Sequence, residues 1–111
     1  MKRQEFNIAC RGEHGVEDWY PEVQTGYIYK VGEFFFGVNG KSGNWRVTEL
    51  ISGTYCFGKI PKLDMVADSI VDWLKKVKVE NVRKAINRQK RFDPDYKEYE
   101  VVMMADWSWC S

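Results

Sequence analysis

The chain begins with an alternating pattern of side chains. Phe6, Ile8 and Cys10 alternate with Asn7 and Ala9. A period of two is typical of a strand with two unlike faces, so a short β-strand is predicted here. The next stretch, residues 11–24, contains two glycines, one proline and four acidic residues. This composition predicts a loop.

A block rich in strand-forming residues follows and predicts an antiparallel meander. The predicted strands cover residues 27–31, 33–38, 45–51 and 54–58. Gly32 marks a bulge or turn between the first two. Residues 39–44 contain the Asn and Gly residues of a hairpin, because both tolerate a positive φ. Ser52-Gly53 is expected to turn the chain into the last of these strands.

The period then changes to that of a helix. Apolar residues recur at i, i+3, i+4 and i+7 and form one stripe: Leu63, Val66, Ala67, Ile70, Trp73, Leu74 and Val77. Asp64 is the expected N-cap, since its carboxylate can accept the first amide hydrogens of the helix. Val79 would point away from the stripe. The helix is therefore expected to break near residues 78–80.

A second helix is predicted over residues 81–91, with Asn81 as its cap. Its inward-facing residues are expected to be Val82, Ala85, Ile86 and Gln89. Asp93-Pro94 prevents a continuation, because the residue before a proline disfavours the α conformation. Residues 96–105 alternate again and predict a final strand.

This order of elements predicts an α+β fold. Its antiparallel sheet would consist of the meander plus an N-terminal and a C-terminal strand, with two helices packed on one face. A chain of 111 residues is expected to form a single domain, residues 1–111.

Composition narrows the class of protein. The chain is 44% hydrophobic with a net charge of +1, which is typical of a soluble globular domain. No apolar run approaches the roughly 20 residues of a membrane span, and the first residues lack a secretory signal, so no membrane partner is expected. Three cysteines cannot all pair within the chain. This favours a reducing cytoplasm.

Charge is strongly segregated along the chain. Residues 75–91 contain eight basic residues and one acidic residue. On the second predicted helix Lys84, Arg88 and Arg91 form one stripe, and Arg83 and Lys90 flank the apolar side. Such a stripe fits a row of phosphates or an acidic protein surface. It equally fits a solvated helix face.

The predicted acidic loop is a second candidate surface. It contains Glu13, Glu17, Asp18 and Glu22, with Trp19 among them. A row of carboxylates can imitate phosphates. The loop is therefore a candidate for engaging a basic nucleic-acid channel.

Catalytic and metal-binding patterns are weak. Cys10 and His14 are a thiol and an imidazole close in sequence, but nothing around Cys10 resembles a protease signature. A zinc site that recruits Cys56 and Cys110 would lack the usual Cys-x2-Cys spacing. Residues 37–42 end in Gly-Lys-Ser, yet their glycine spacing and strand context differ from those of a phosphate-binding loop. We expect no catalytic residue, metal or cofactor, with a small Cys-dependent enzyme as the alternative.

Residues 27–77 resemble a type of small phage and prophage protein. In it a Trp-x-Val-Thr strand, here Trp45-Arg46-Val47-Thr48, precedes a Ser/Thr-Gly turn, here Ser52-Gly53, then a further strand and one amphipathic helix. The basic second helix and the final aromatic strand depart from this pattern. The resemblance implies an origin in a mobile element. Proteins of this origin often act by binding, and they include inhibitors of bacterial defence systems such as anti-CRISPR proteins.

The sequence thus predicts a non-catalytic protein in the cytoplasm of a bacterial host. It is expected to inhibit a host defence nuclease of the CRISPR type by binding it, with Lys84, Arg88 and Arg91 as candidate contacts. The alternative is a nucleic-acid-binding protein that uses the basic helix at residues 81–91.

Overall fold

The structure, a computed structural model, describes residues 2–15, 17–95, 97 and 99–103. Over these residues the chain forms six strands, a 3-10 turn and two α-helices. The strands are β1 (Gln4–Arg11), β2 (Trp19–Val31), β3 (Phe34–Lys41), β4 (Asn44–Glu49), β5 (Tyr55–Ile60) and β6 (Val101–Met103). The helical elements are the turn Leu63–Met65, α1 (Val66–Val77) and α2 (Val79–Arg88). None of the described helices is both long and apolar enough to cross a membrane.

The strands form one sheet in which β1 to β5 follow each other as an antiparallel meander. The predicted α+β fold and its meander are confirmed. The final strand differs from the prediction, because β6 joins β2 in parallel. It pairs residues 101–103 with residues 28–30 of β2, beyond the end of β1. The predicted strand covered residues 96–105, whereas over the described residues the strand spans 101–103. Positions 96, 98, 104 and 105 lie outside the described residues.

The side chain of Gln4 joins the two strands that share this edge of β2. The side-chain amide of Gln4 donates to the Glu100 carbonyl at 2.7 Å, and its oxygen accepts the Glu100 N–H at 2.9 Å. The start of β1 is thereby tied to the start of β6. Both backbone groups of Glu100 are satisfied where the pairing with β2 begins.

The predicted loop at residues 11–24 is wrong in its second half, because β2 begins at Trp19 and pairs with β1. Pro21 lies opposite Ala9, whose N–H points away from β2 and donates to the Gly53 carbonyl at 2.9 Å. The missing N–H of Pro21 therefore costs no bond between these two strands. Cross-strand pairing overrides the local preference for a loop.

Neither predicted N-cap is used. Asp64 lies inside the 3-10 turn, and the N-cap of α1 is Met65, without a side-chain hydrogen bond. The helix break is confirmed at Lys78, which has φ 78° and ψ 131°. The amide of Asn81 instead donates to the Val77 carbonyl at 2.9 Å. It thus satisfies an acceptor at the end of α1 rather than donors at the start of α2.

The main core lies between the helices and one face of the sheet. The predicted stripe on α1 is confirmed, with Val66, Ile70 and Leu74 buried against the sheet. Trp73 is half-buried: its ring stacks on Phe57, with centroids 5.8 Å apart, and meets Phe36 edge-on at 6.2 Å.

A smaller cluster covers the other face of the sheet. Phe6, Ile28 and Leu50 are buried there, and Tyr99 packs beside them. Gly37 permits their close approach, because a Cβ at this position would overlap the side chains of Phe6 and Leu50. Apolar packing therefore stabilises the sheet on both faces.

We expect Trp73→Ala to lower the free energy of unfolding by about 3 kcal/mol, since it removes a large side chain packed between the helix and two strands. Urea or thermal unfolding measures the change. Asp72→Ala, at an exposed neighbour on the same helix, is the matched control and should be nearly neutral. Equal stability of the two variants would contradict the packing role of Trp73.

Candidate functional site

A groove with a volume of about 720 Å³ lies between α2 and the end of the sheet where β3 begins and β4 ends. We call it the α2 groove. Four apolar side chains form its floor: Phe34, Ile51, Ile86 and Phe92. The charged residues around them are Glu33, Glu49, Arg83, Lys90, Arg91 and Asp93.

The groove exists because α2 is anchored at few points. Val82 is its buried residue, while Ile86 is half-buried and lines the groove. Ala85 and Gln89, predicted to face inward, are exposed. In an unbroken helix Val79 would point away from the apolar stripe. The break at Lys78 changes the direction of the chain, and Val79 packs against the core.

The structure places Arg91 outside the predicted basic stripe. Helix α2 ends at Arg88, so Arg91 no longer follows the helical period. Its guanidinium donates to the Ser52 carbonyl at 3.0 Å and to the Thr54 hydroxyl at 3.2 Å. The guanidinium carbon also lies 5.3 Å from the centroid of the Trp19 ring. These contacts make Arg91 a structural residue that holds three segments together.

The other four basic candidates divide into two groups. Arg83 forms an ion pair with Glu33 and so connects α2 to the β2–β3 turn. Lys84 lies 3.5 Å from Glu80, but both side chains are largely exposed, and such pairs contribute little. Arg88 and Lys90 are exposed and form no ion pair with any described residue. The exposed basic residues beside the groove are therefore Lys84, Arg88 and Lys90.

The acidic candidates do not form one loop. Glu13 and Glu17 are exposed in the β1–β2 turn, whereas Asp18 is half-buried and accepts the His14 N–H at 2.9 Å. Glu22 lies on β2 and accepts hydrogen bonds within the sheet. Trp19 packs edge-on against Phe92, with ring centroids 5.6 Å apart. The predicted acidic surface is reduced to the exposed turn, because strand pairing begins at Trp19.

A buried carboxylate that the sequence did not single out forms one wall of the groove. Glu49 is 3% exposed, and its two oxygens accept the N–H groups of Ile51 at 2.7 Å and of Ser52 at 2.8 Å. The sequence feature that could have indicated this buried carboxylate is an acid placed three residues before the Ser-Gly turn. Phe34 and Ile51 carry no such local signal, because distant segments bring them together.

The thiol of Cys10 is paired with a carboxylate rather than with His14. Its Sγ donates to Glu22 Oε2 at 2.8 Å, and this hydrogen bond raises the pKa of Cys10. Burial raises the pKa of Cys56 to about 12. Both thiols are thus disfavoured as thiolates, the form required of a nucleophile. Cys110 lies outside the described residues.

Among the described residues, no group of three or more His, Cys, Asp and Glu side chains is placed to hold a metal ion. Comparison with protein-family models, with curated proteins and with solved structures finds no match to this chain. The resemblance to phage proteins therefore stays a prediction.

We expect Arg91→Ala to lower the free energy of unfolding by about 1 to 2 kcal/mol, because it removes two hydrogen bonds and a contact with an aromatic ring. Arg88→Ala, at an exposed position in the last turn of α2, should change stability by no more than about 0.5 kcal/mol. Urea unfolding of the two variants tests the assignment. An equally small effect at both positions would contradict a structural role for Arg91.

We expect Glu22→Ala to speed the alkylation of Cys10 several-fold at about pH 8, because the variant loses the carboxylate that raises the thiol pKa. Since the folded-state pKa is the higher one, this contact stabilises the fold at neutral pH. The contribution is lost as the pH rises through the raised value. Peptide mapping after iodoacetamide treatment separates Cys10 from the other two cysteines. Glu5→Ala is the control, and equal rates in both variants would refute the pairing.

Proposed function

We propose that this chain acts by binding another protein, without catalysis of its own. The observation that carries the proposal is the α2 groove, in which an apolar floor is surrounded by charged side chains. Protein interfaces combine these features, with an apolar centre that excludes water and a polar rim. The hydrogen bond to Glu22, which raises the pKa of Cys10, disfavours this thiol as a nucleophile.

The proposed partner is a defence nuclease of the CRISPR type in the cytoplasm of a bacterial host. The likeness of residues 27–77 to small phage and prophage proteins supports this class of target. Lys84, Arg88 and Lys90 favour an acidic surface on the nuclease. Arg91 is not among the proposed contacts, because its guanidinium donates hydrogen bonds to Ser52 and Thr54 within the molecule.

Nucleic-acid binding through α2 is the second candidate function. The exposed side chains of Lys84, Arg88 and Lys90 favour it. However, Arg83 and Arg91 have partners within the molecule, so the row of cations available to phosphates is short. Affinity for a nucleic acid grows with the number of phosphates neutralised. The geometry therefore favours a protein partner.

The test compares a double charge reversal, Lys84→Glu with Arg88→Glu, against a matched control, Lys41→Glu with Lys62→Glu. The control residues are exposed, and Lys41 lies at the opposite end of β3 from the groove. We expect the native protein to inhibit target cleavage by a purified CRISPR-type nuclease in a complex that survives moderate salt. The α2 variant should bind at least about tenfold more weakly, and the control should match the native protein.

Two outcomes would overturn this proposal. In the first, the native protein forms no complex with the nuclease and does not improve phage plating on a host that carries it. In the second, the native protein binds random DNA duplexes at sub-micromolar concentration in a strongly salt-sensitive way. That result would establish the nucleic-acid hypothesis instead.

A further inference from the structure

We infer that the α2 groove recognises an acidic peptide segment of its partner that carries one large apolar side chain. This inference rests on the proposed function and specifies the chemistry of the segment bound. Two observations support the inference: the volume of the groove, and the number of charged groups around its floor that already have partners within the molecule.

The floor is suited to an apolar anchor. Phe34 is buried, and Ile51, Ile86 and Phe92 are half-buried, so three of these side chains still present apolar surface to solvent. The volume of about 720 Å³ falls within the roughly 300 to 1,000 Å³ of pockets that enclose a ligand. It can hold a Phe or Leu side chain together with part of the adjoining backbone.

Most of the charges around the floor are satisfied within the molecule. Glu33 and Arg83 form an ion pair, and the buried Glu49 accepts two backbone N–H groups. Arg91 donates to Ser52 and Thr54. These groups need no partner from a ligand.

The remaining charges favour an anionic ligand. Lys90 lines the groove, and Lys84 and Arg88 lie beside Asn87, a residue that also lines it. One unpaired negative charge also lines the groove. Among the described residues of the lining, Asp93 is the acid that has no ion pair or side-chain hydrogen bond. Lys84 is paired with the exposed Glu80, so Arg88 and Lys90 against Asp93 leave an excess of one unpaired positive charge, on the α2 side of the groove. Carboxylates next to an apolar anchor, on the side that faces α2, would match this arrangement.

A nucleic acid fits the groove less well. Recognition of single strands relies on exposed aromatic rings on which bases stack. Here the ring of Phe34 is buried, and that of Phe92 is packed against Trp19. An acidic peptide uses the same cations and also fills the apolar floor.

The experiment titrates isotopically labelled protein with a short synthetic peptide of Asp and Glu residues around a central Phe. Amide shifts measured by NMR should change at Ile51, Ile86, Lys90 and Phe92. A peptide with Ala in place of Phe, and one with Lys in place of the acids, should each bind at least about tenfold more weakly. The same loss is expected for Lys90→Glu and for Asn87→Trp, which fills the groove from an exposed position without removing a buried contact.

The outcomes separate this inference from the proposed function. If the acidic peptide shifts the groove residues and displaces the nuclease, the inference is supported. If it causes no shifts while the nuclease is still bound through Lys84 and Arg88, the inference fails and the proposed function stands. If neither binds, both fail. Stronger shifts with a DNA oligonucleotide, or a second copy of this chain in the groove at high concentration, would also overturn the inference.

Discussion

The turn between β4 and β5 holds together the segments that this fold brings from distant parts of the sequence. The carbonyl of Ile51 accepts the N–H groups of Arg91 and Phe92 at 3.0 and 2.9 Å, and that of Gly53 accepts the N–H of Ala9. Gly53 has a φ of 73°, and a Cβ there would overlap Phe92 and Ala9. A residue without a side chain is therefore required, both for the turn and for the contacts made across it.

This turn also determines where the candidate site lies. By binding the chain just after α2, it places Phe92 beside Ile51 and brings the Arg91 guanidinium onto the Ser52 carbonyl. Helix α2 is then held between the turn and the Arg83–Glu33 ion pair, with Val82 as its buried contact. The α2 groove is the space left between these points of attachment.

The same contacts distinguish the competing functions. A row of five basic residues would favour a phosphate backbone, but the tertiary structure uses two of them, Arg83 and Arg91, as internal partners. Of the exposed cations that remain, Lys90 adjoins the apolar floor, and Lys84 and Arg88 lie beside it with Asn87. Charge beside exposed apolar surface is a property of protein interfaces, and this is why the groove, rather than the helix alone, carries the proposed function.

The parts of the fold that depend on residues close together in sequence could be predicted from the sequence alone. The stripe on α1, the break near Lys78 and the turns at Gly32 and Gly53 follow from period and backbone freedom, which are local properties. Only the tertiary structure decided the pairing that makes residues 19–24 a strand and the parallel direction of β6. It also decided which of the basic residues on α2 stay exposed. These outcomes depend on hydrogen bonds and ion pairs between residues far apart in sequence, such as Arg91 with Ser52 and Arg83 with Glu33, whose partners no local pattern specifies.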